Sequence, residues 1–491
     1  MIRATGLGVR FGATAALRDA SLTVAPGDRL GIVGESGSGK SMLALTLMGM
    51  APETAEVAGS IEIDGREMAG ADEATWRRLR ARRLAMVFQE PMSALNPLRR
   101  IGETIMEPII ANLGLSRREA AARALALLEE TGIPEPALRF RQFPHELSGG
   151  QRQRALIALA LSCDPELLIA DEPTTALDAN VALRVIELLL RLSESRRMAL
   201  IFISHDLAAV ARATRDVLVM HGGDIVERGP TAEVLARPAH AYTRSLIAAR
   251  PSPRPEAGRR RPPSSGRDDA MGAPVLKVER AAKRYRLPRR SLLGPAPALT
   301  ALSGVGLEIR RGETLGVVGE SGSGKTTLAR LVMAFERPDE GRILFEGEDL
   351  AGLSPRDLAA RRRRFQMVFQ DPFGSLDPRR AVGWSIGEPL RAAGEDRAGI
   401  ARRVDEALVQ VGLRPADARA YPHQFSGGQR QRIAIARAVI TRPVLLVADE
   451  AVSALDVSVQ AQILKLFMDL RDEMGLALLF ISHDLAVVGS L

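Results

Sequence analysis

The sequence predicts an α/β fold written twice in tandem, and three observations predict it. At 491 residues the chain is longer than the roughly 250–300 at which a single hydrophobic core stops growing. A set of short motifs recurs in the same order: GESGSGKS at 34–41 and GESGSGKT at 319–326, VFQEP at 87–91 and VFQDP at 368–372, SGGQRQR at 148–154 and again at 426–432. In both copies a strand-like apolar run enters a glycine-rich loop and leaves it as a helix-like run, RLGIVGESGSGKSMLALTLMG and TLGVVGESGSGKTTLARLVMA.

The repeat sets the domain boundaries. Lys40 maps to Lys325 at an offset of 285, Gln89 to Gln370 at 281, and Asp171 to Asp449 and His205 to His483 at 278. A period this long is a duplicated domain, not a solenoid. The expected division is one domain over 1–250, a linker over 251–273 and a second domain over 274–491. The stretch RPSPRPEAGRRRPPSSGRDDA, from Arg250 to Ala270, is rich in proline, arginine and serine and reads as a solvated linker. Copy one continues past His205 through VLVMHGGDIVERG, a hairpin pattern with its turn at Gly222–Gly223. The matching stretch of copy two would run to about residue 528, so the second domain is expected to lack its last strands and helix.

Composition narrows the class. Hydrophobic residues at 46% and charged residues at 26% are ordinary for a globular protein. The formal charge of +8 comes from arginines scattered along the chain, which speaks to solubility, and no nucleic-acid partner is expected. Arg259–Arg261 and Arg361–Arg364 read as solvated or as a polar helix face. Cys163 is the one cysteine, which excludes an internal disulfide, and its apolar setting predicts a small buried hydrophobe. No leader pattern opens the chain, and no run of about 18 uncharged apolar residues occurs. The longest candidate, Arg154 to Ala170, is interrupted by Asp164, Pro165 and Glu166, so the chain is expected in the cytoplasm without spanning a bilayer.

The chemistry begins at the glycine loops. Gly34, Glu35, Ser36, Gly37, Ser38, Gly39, Lys40 and Ser41 in copy one answer to Gly319, Glu320, Ser321, Gly322, Ser323, Gly324, Lys325 and Thr326 in copy two, with Thr327 following. Such a loop turns backbone N–H groups toward phosphates at a helix N-terminus, whose dipole favours anions. Lys40 and Lys325 place an ammonium on the outer phosphates, and Ser41 and Thr326 offer a hydroxyl to Mg²⁺. Two acids end an apolar strand in each copy, LLIADEP at 167–173 and LLVADEA at 445–451. Asp171 and Asp449 suit Mg²⁺; Glu172 and Glu450 are placed to polarise an attacking water. An isolated Asp-Glu at a strand end is as often a helix cap, and its weight comes from following the phosphate loop twice.

LSGGQ at 147–151 and FSGGQ at 425–429 resemble the signature loop of ABC-type ATPases. Gln89 and Gln370 match that family's Q-loop, TALD at 175–178 and SALD at 453–456 its D-loop, and His205 and His483 its switch histidine. Phe11 and Tyr285 resemble the position that stacks on adenine. The resemblance covers 1–250 and 274–491 and implies two tandem P-loop NTPase domains, each a RecA-like core with an antiparallel β subdomain and an α-helical subdomain. It also implies that two modules pair head to tail and sandwich each ATP. One site would join Lys40, Ser41, Gln89, Asp171, Glu172 and His205 with Ser426 and Gly428. The other would join Lys325, Thr326, Gln370, Asp449, Glu450 and His483 with Ser148 and Gly150. Gln89 and Gln370 would also reach the Mg²⁺. Ala451 stands where the family has proline after the acids.

FQEPMSALNP at 88–97, FQDPFGSLDP at 369–378 and ARPAHAYTRSLIAA at 236–249 are similar to the oligopeptide, dipeptide, nickel and glutathione importer ATPases. That resemblance implies a peripheral subunit on the cytoplasmic face of the membrane, two separate permease subunits and, indirectly, a substrate-binding protein. A soluble tandem ATPase acting on ribosomes or nucleic acid is the alternative. Relatives of that kind carry a long charged helical linker or zinc fingers, whereas this linker is short, proline-rich and free of cysteine.

Overall fold

The structure, a computed structural model, describes residues 1–89, 94–175, 177–248, 273–286, 298–320, 322–371, 374–453 and 455–491. The expected linker, apart from Ala273, and the phosphate-loop residue Ser321 lie outside the described residues. The chain divides into two compact units, Met1–Arg250 and Pro251–Leu491.

Among the described residues the first unit has ten strands: β1 (Ile2–Phe11), β2 (Thr14–Val24), β3 (Arg29–Val33), β4 (Glu56–Ile63), β5 (Arg66–Glu67), β6 (Leu84–Val87), β7 (Leu167–Asp171), β8 (Ala199–Ser204), β9 (Asp216–His221) and β10 (Asp224–Pro230). They form two sheets. The antiparallel one has the order β2-β1-β4-β5, and β1 opens with buried Ile2 and Ala4 alternating with exposed Arg3 and Thr5, as a strand with one wet face should. The second has the order β10-β9-β3-β8-β7-β6 and is parallel except for β10. Every residue of β7 and β8 is buried, which explains the apolar runs LLIA and ALIFI that precede their last residues, Asp171 and Ser204. Gly222 and Gly223, at φ 57° and 90°, close the β9–β10 hairpin where the sequence places it.

The helix Lys40–Leu47 lies in the layer shared by the two sheets, since Leu43 and Leu47 join Leu7, Leu17, Ile32, Ile169 and Ile201 in one core. A second core gathers the helices Ile101–Leu113, Arg117–Glu130 and Gly149–Ala160 around Val87 and Leu168. Ser116 caps the middle helix, and Glu119 returns to the Ser116 backbone, a reciprocal cap legible in SRRE.

The second unit repeats this plan with β11 (Leu276–Arg286), β12 (Ala298–Ile309), β13 (Thr314–Val318), β14 (Glu340–Phe345), β15 (Glu348–Asp349), β16 (Phe365–Val368), β17 (Leu445–Asp449) and β18 (Ala477–Ser482). Its sheets run β12-β11-β14-β15 and β13-β18-β17-β16. The register is conserved between the copies: Asp171 lies opposite Ile203 and Asp449 opposite Ile481. In the first unit β9 covers β3, whose residues 30–33 are buried, whereas β13 at the sheet edge is only half-buried. No described helix is long and apolar enough to cross a membrane.

The arginine run at 361–364 belongs to the fold. Arg361 pairs with Glu348 at 2.6 Å, Arg364 with Glu346 at 2.7 Å, and Arg362 donates to the Ala334 carbonyl at 2.9 Å. Cys163 is half-buried rather than fully buried, with its thiol donating to the Pro108 carbonyl at 3.5 Å. Replacing fully buried Phe202 by alanine should lower stability by about 3–5 kcal/mol. Arg361→Ala, which breaks a solvent-exposed pair, should change it by no more than about 0.5 kcal/mol. Urea midpoints of the two variants measure both.

Candidate functional site

Both phosphate loops leave a parallel strand and enter a helix whose first residue is the lysine. Gly39 and Gly324 precede those lysines in the left-handed conformation, at φ 99° and 96°. A side chain at Gly324 would stand 2.3 Å from the Ala301 carbonyl, so turn geometry and packing both demand glycine there. Each lysine is buried and folded into its own loop. The Lys40 ammonium donates to the carbonyls of Gly34 at 2.7 Å and Glu35 at 2.8 Å, and that of Lys325 to Gly319 at 2.6 Å and Glu320 at 2.8 Å. These charge-assisted bonds hold the loop around the cation.

The acids stand at the ends of β7 and β17. Asp171 and Asp449 are buried, and one carboxylate oxygen of each, Oδ1, has no hydrogen-bond partner. Burial is the largest influence on the Asp171 carboxyl and raises its pKa; the Glu172 charge adds to the rise, against Ser41 and Lys40. Asp449 is raised by the same causes, against Lys325 and Thr326. A carboxylate with an orphaned oxygen beside a hydroxyl is a hard-oxygen donor set that fits Mg²⁺.

Glu172 and Glu450 follow in left-handed backbone, at φ 47° and 48°, with their N–H groups held by the carbonyls of Ile203 and Ile481, both at 2.9 Å. A non-glycine residue kept there twice costs of order 1–3 kcal/mol each time and marks a position shaped for its side chain. That side chain collects the other motif residues. Gln89 Nε2 donates to Glu172 Oε2 at 2.9 Å, and His205 Nδ1 lies 3.3 Å from the same oxygen. Gln370 Nε2 donates to Glu450 Oε2 at 3.0 Å, with His483 Nδ1 at 3.4 Å. Burial pushes the Glu172 pKa up, but His205, Thr175 and Lys40 together outweigh it and leave it lowered. For Glu450 the hydrogen bond to His483 is the largest influence, and the pKa is likewise lowered.

Ser148 and Ser426 form clusters of their own as exposed N-caps of the helices Gly149–Ala160 and Gly427–Val439, accepting from Gln151 N at 3.3 Å and Gln429 N at 3.4 Å. Gly150 and Gly428 have a packing duty as well: an added Cβ would meet Val181 at 2.6 Å and Val459 at 2.4 Å. Phe11 is half-buried against the core that holds Leu43 and Leu47 of the helix after the first phosphate loop. Tyr285 donates its hydroxyl to Glu336 at 2.6 Å, and Thr327 stands within hydrogen-bonding reach of it.

Sequence reading missed three contacts. Thr175 donates to Glu172 Oε2 at 2.9 Å, whereas its counterpart Ser453 donates to the Glu450 main-chain carbonyl at 2.9 Å. Lys325 lies 3.8 Å from Glu450 Oε1. Tyr242 reaches the first phosphate loop from 207 residues away. The Thr/Ser difference was visible in TALD against SALD; nothing local signals the other two.

Beside Phe369 of the second unit opens a cavity of about 480 Å³, lined in part by Phe335, Arg362, Glu388 and Arg437. Phe335 and Phe369, which line it, stack with centroids 6.5 Å apart, and both rings are exposed.

The chain is similar in sequence to known proteins. The pattern of the ABC transporter family matches residues 17–175 and 302–453, and that of the oligopeptide/dipeptide transporter C-terminal region matches 226–272. The chain is 44% identical over 497 residues to the glutathione import ATP-binding protein GsiA of Salmonella typhimurium (strain LT2), covering 96% of this chain and 80% of that protein. It is 43% identical over 504 residues to that of Escherichia coli (strain K12), with the same coverage. A solved dimeric bacterial ABC transporter cassette aligns with 47% of this chain and 99% of its own, at 28% identity and a TM-score of 0.43.

The Glu450–His483 contact has a pH signature. The bond to Glu450 raises the His483 pKa above its ordinary 6.5, so the stabilisation it brings is complete below 6.5 and is lost as pH rises through the folded-state value. Glu450 is lowered from 4.5, so its contribution is present above 4.5 and is lost as pH falls through its folded-state value. An NMR titration should place the His483 imidazole above its ordinary value in the parent chain, and lower than in the parent in Glu450→Gln.

Proposed function

Because the chain belongs to the family of ABC transporter ATP-binding proteins, we propose that its two units close head to tail over ATP and drive a permease by that closure. The chain is an ATP-binding and ATP-hydrolysing subunit of the importer type that takes peptides or related small solutes. The match over 226–272 to a transporter region favours this over a tandem ATPase working on ribosomes or nucleic acid. Relatives named for glutathione import make that tripeptide the first cargo to assay.

One observation carries the reading: in each unit a phosphate-loop lysine, a buried aspartate and a glutamate held by glutamine and histidine stand together. Lys40 and Lys325 neutralise the outer phosphates. Glu172 and Glu450, their pKa values lowered, remain carboxylates at neutral pH and accept hydrogen bonds from the attacking water. Gln89 and Gln370 orient those carboxylates, and His205 and His483 contact the same carboxylate oxygens while reaching the γ-phosphate. Asp171 with Ser41 and Gln89, and Asp449 with Thr326 and Gln370, would hold Mg²⁺, which supplies charge neutralisation to the phosphates. Phe11 and Tyr285 stack on the adenines. Ser148 with Gly150, and Ser426 with Gly428, present capped helix N-termini to the phosphates bound by the opposite unit.

Covalent linkage raises the effective concentration of the second unit, so the sandwich forms within one chain. Two permease subunits supply the membrane path, with a substrate-binding protein delivering cargo to them, and the chain works peripherally at the cytoplasmic face. The cavity lined by Phe335 and Phe369, both exposed, is assigned as the seat of a permease helix.

Cysteines at Ser36 and Ser426, in a Cys163→Ser background, test the pairing. ATP should accelerate a disulfide between them within one chain, read as a faster-migrating band in a non-reducing gel. A disulfide that forms only between chains, or at a rate indifferent to ATP, contradicts it.

A further inference from the structure

The helix Ala241–Ala248 of the first unit lies within the region shared with oligopeptide/dipeptide transporters, and it touches the phosphate loop. Its second residue, Tyr242, accepts a hydrogen bond on its hydroxyl from the Glu35 backbone N–H at 3.0 Å. The Tyr242 ring lies against the His221 imidazole, centroids 4.0 Å apart at 31°. His221 ends β9, and two residues on, Gly223 donates its N–H to the Ser38 carbonyl at 3.1 Å. The loop is therefore held at two points by the C-terminal hairpin and helix of its own unit.

The position of Tyr242 is itself fixed. The Glu227 carboxylate on β10 accepts from the N–H groups of Ala239 at 2.7 Å and His240 at 3.1 Å. Arg244 donates to the carbonyls of Pro238 at 3.1 Å and Ala239 at 2.7 Å, and Leu246 is buried in the core. The hydroxyl is thus placed by the sheet.

What it holds is one peptide unit, Gly34–Glu35. The carbonyl end of that unit accepts from the Lys40 ammonium at 2.7 Å, and its N–H end donates to Tyr242. In a trans peptide these two groups point in opposite directions, so Lys40 and Tyr242 grip the unit from its two sides. With Lys40 turned toward phosphate, the Tyr242 bond would still hold this peptide.

We propose that Tyr242 is a positioning residue for the first ATP site, acting through the Gly34–Glu35 peptide on Lys40, so that the transporter-type C-terminal region forms part of that site. This rests on the reading of Lys40 as a phosphate ligand. The bond is neutral and half-buried, so its loss should weaken nucleotide binding by roughly three- to tenfold.

The test is equilibrium binding of a fluorescent ATP analogue to the full chain. In a Lys325→Ala background, where the first loop is the one left intact, Tyr242→Phe keeps the ring against His221 and removes only the hydroxyl. It should weaken binding by that factor with the melting temperature held. In a Lys40→Ala background the same change should leave affinity at the second loop as it was. Equal affinity with and without the hydroxyl in the first background, or equal losses in both, overturns the role of Tyr242. Should the Lys325→Ala chain with Tyr242 in place bind no nucleotide, the reading of the first loop falls, and this proposal with it.

Discussion

Two neighbouring carboxylates at the end of one buried strand set the terms for everything around them. Like charges one residue apart in a protein interior repel, and each loses hydration. The structure meets this by separating their surroundings. Asp171 sits with Ser41 and Lys40, Glu172 with Gln89, His205 and Thr175, and the left-handed backbone of Glu172 marks the break between them. The aspartate is pushed up and the glutamate down, and the second unit reproduces both directions. Neighbouring acids driven apart in this way are how one site comes to hold two roles.

The rest of each unit positions that pair. β7 and β17 are buried along their whole length, so they bring the acids to a fixed point with little freedom. The neighbours β8 and β18 end in the segments that carry the histidines, and β6 and β16 end next to the glutamines. Parallel strands in register deliver all three groups to one edge of the sheet, the edge at which the phosphate loop leaves β3 or β13. Parallel α/β sheets characteristically bind ligands at this carboxyl edge.

Much of this was legible because the signals were local. Glycine before a lysine in a strand–loop–helix run reports a backbone turn, and Gly222–Gly223 reports a hairpin, without any knowledge of tertiary structure. The repeat converted weak pairs such as Asp171–Glu172 into strong ones by showing them twice. Contacts between segments far apart in sequence were not legible. Tyr242 to Glu35 spans 207 residues and leaves no local trace. Gly150 and Gly428 read as nucleotide-facing residues, while the structure adds that Val181 and Val459 leave no space for a side chain. The arginine run at 361–364 read as a polar helix face and does lie at the surface, but its partners, Glu348, Glu346 and the Ala334 carbonyl, had no local signal.

The two sites share a plan but differ in detail. Thr175 supports the Glu172 carboxylate where Ser453 binds main chain. Central to the account is that the glutamates handle water while the loops hold nucleotide, so the direct measurement is the double variant Glu172→Gln, Glu450→Gln, assayed for bound ATP and for phosphate release. The account predicts ATP retained at both loops, with turnover lowered at least about 100-fold. Turnover close to that of the parent chain would contradict it.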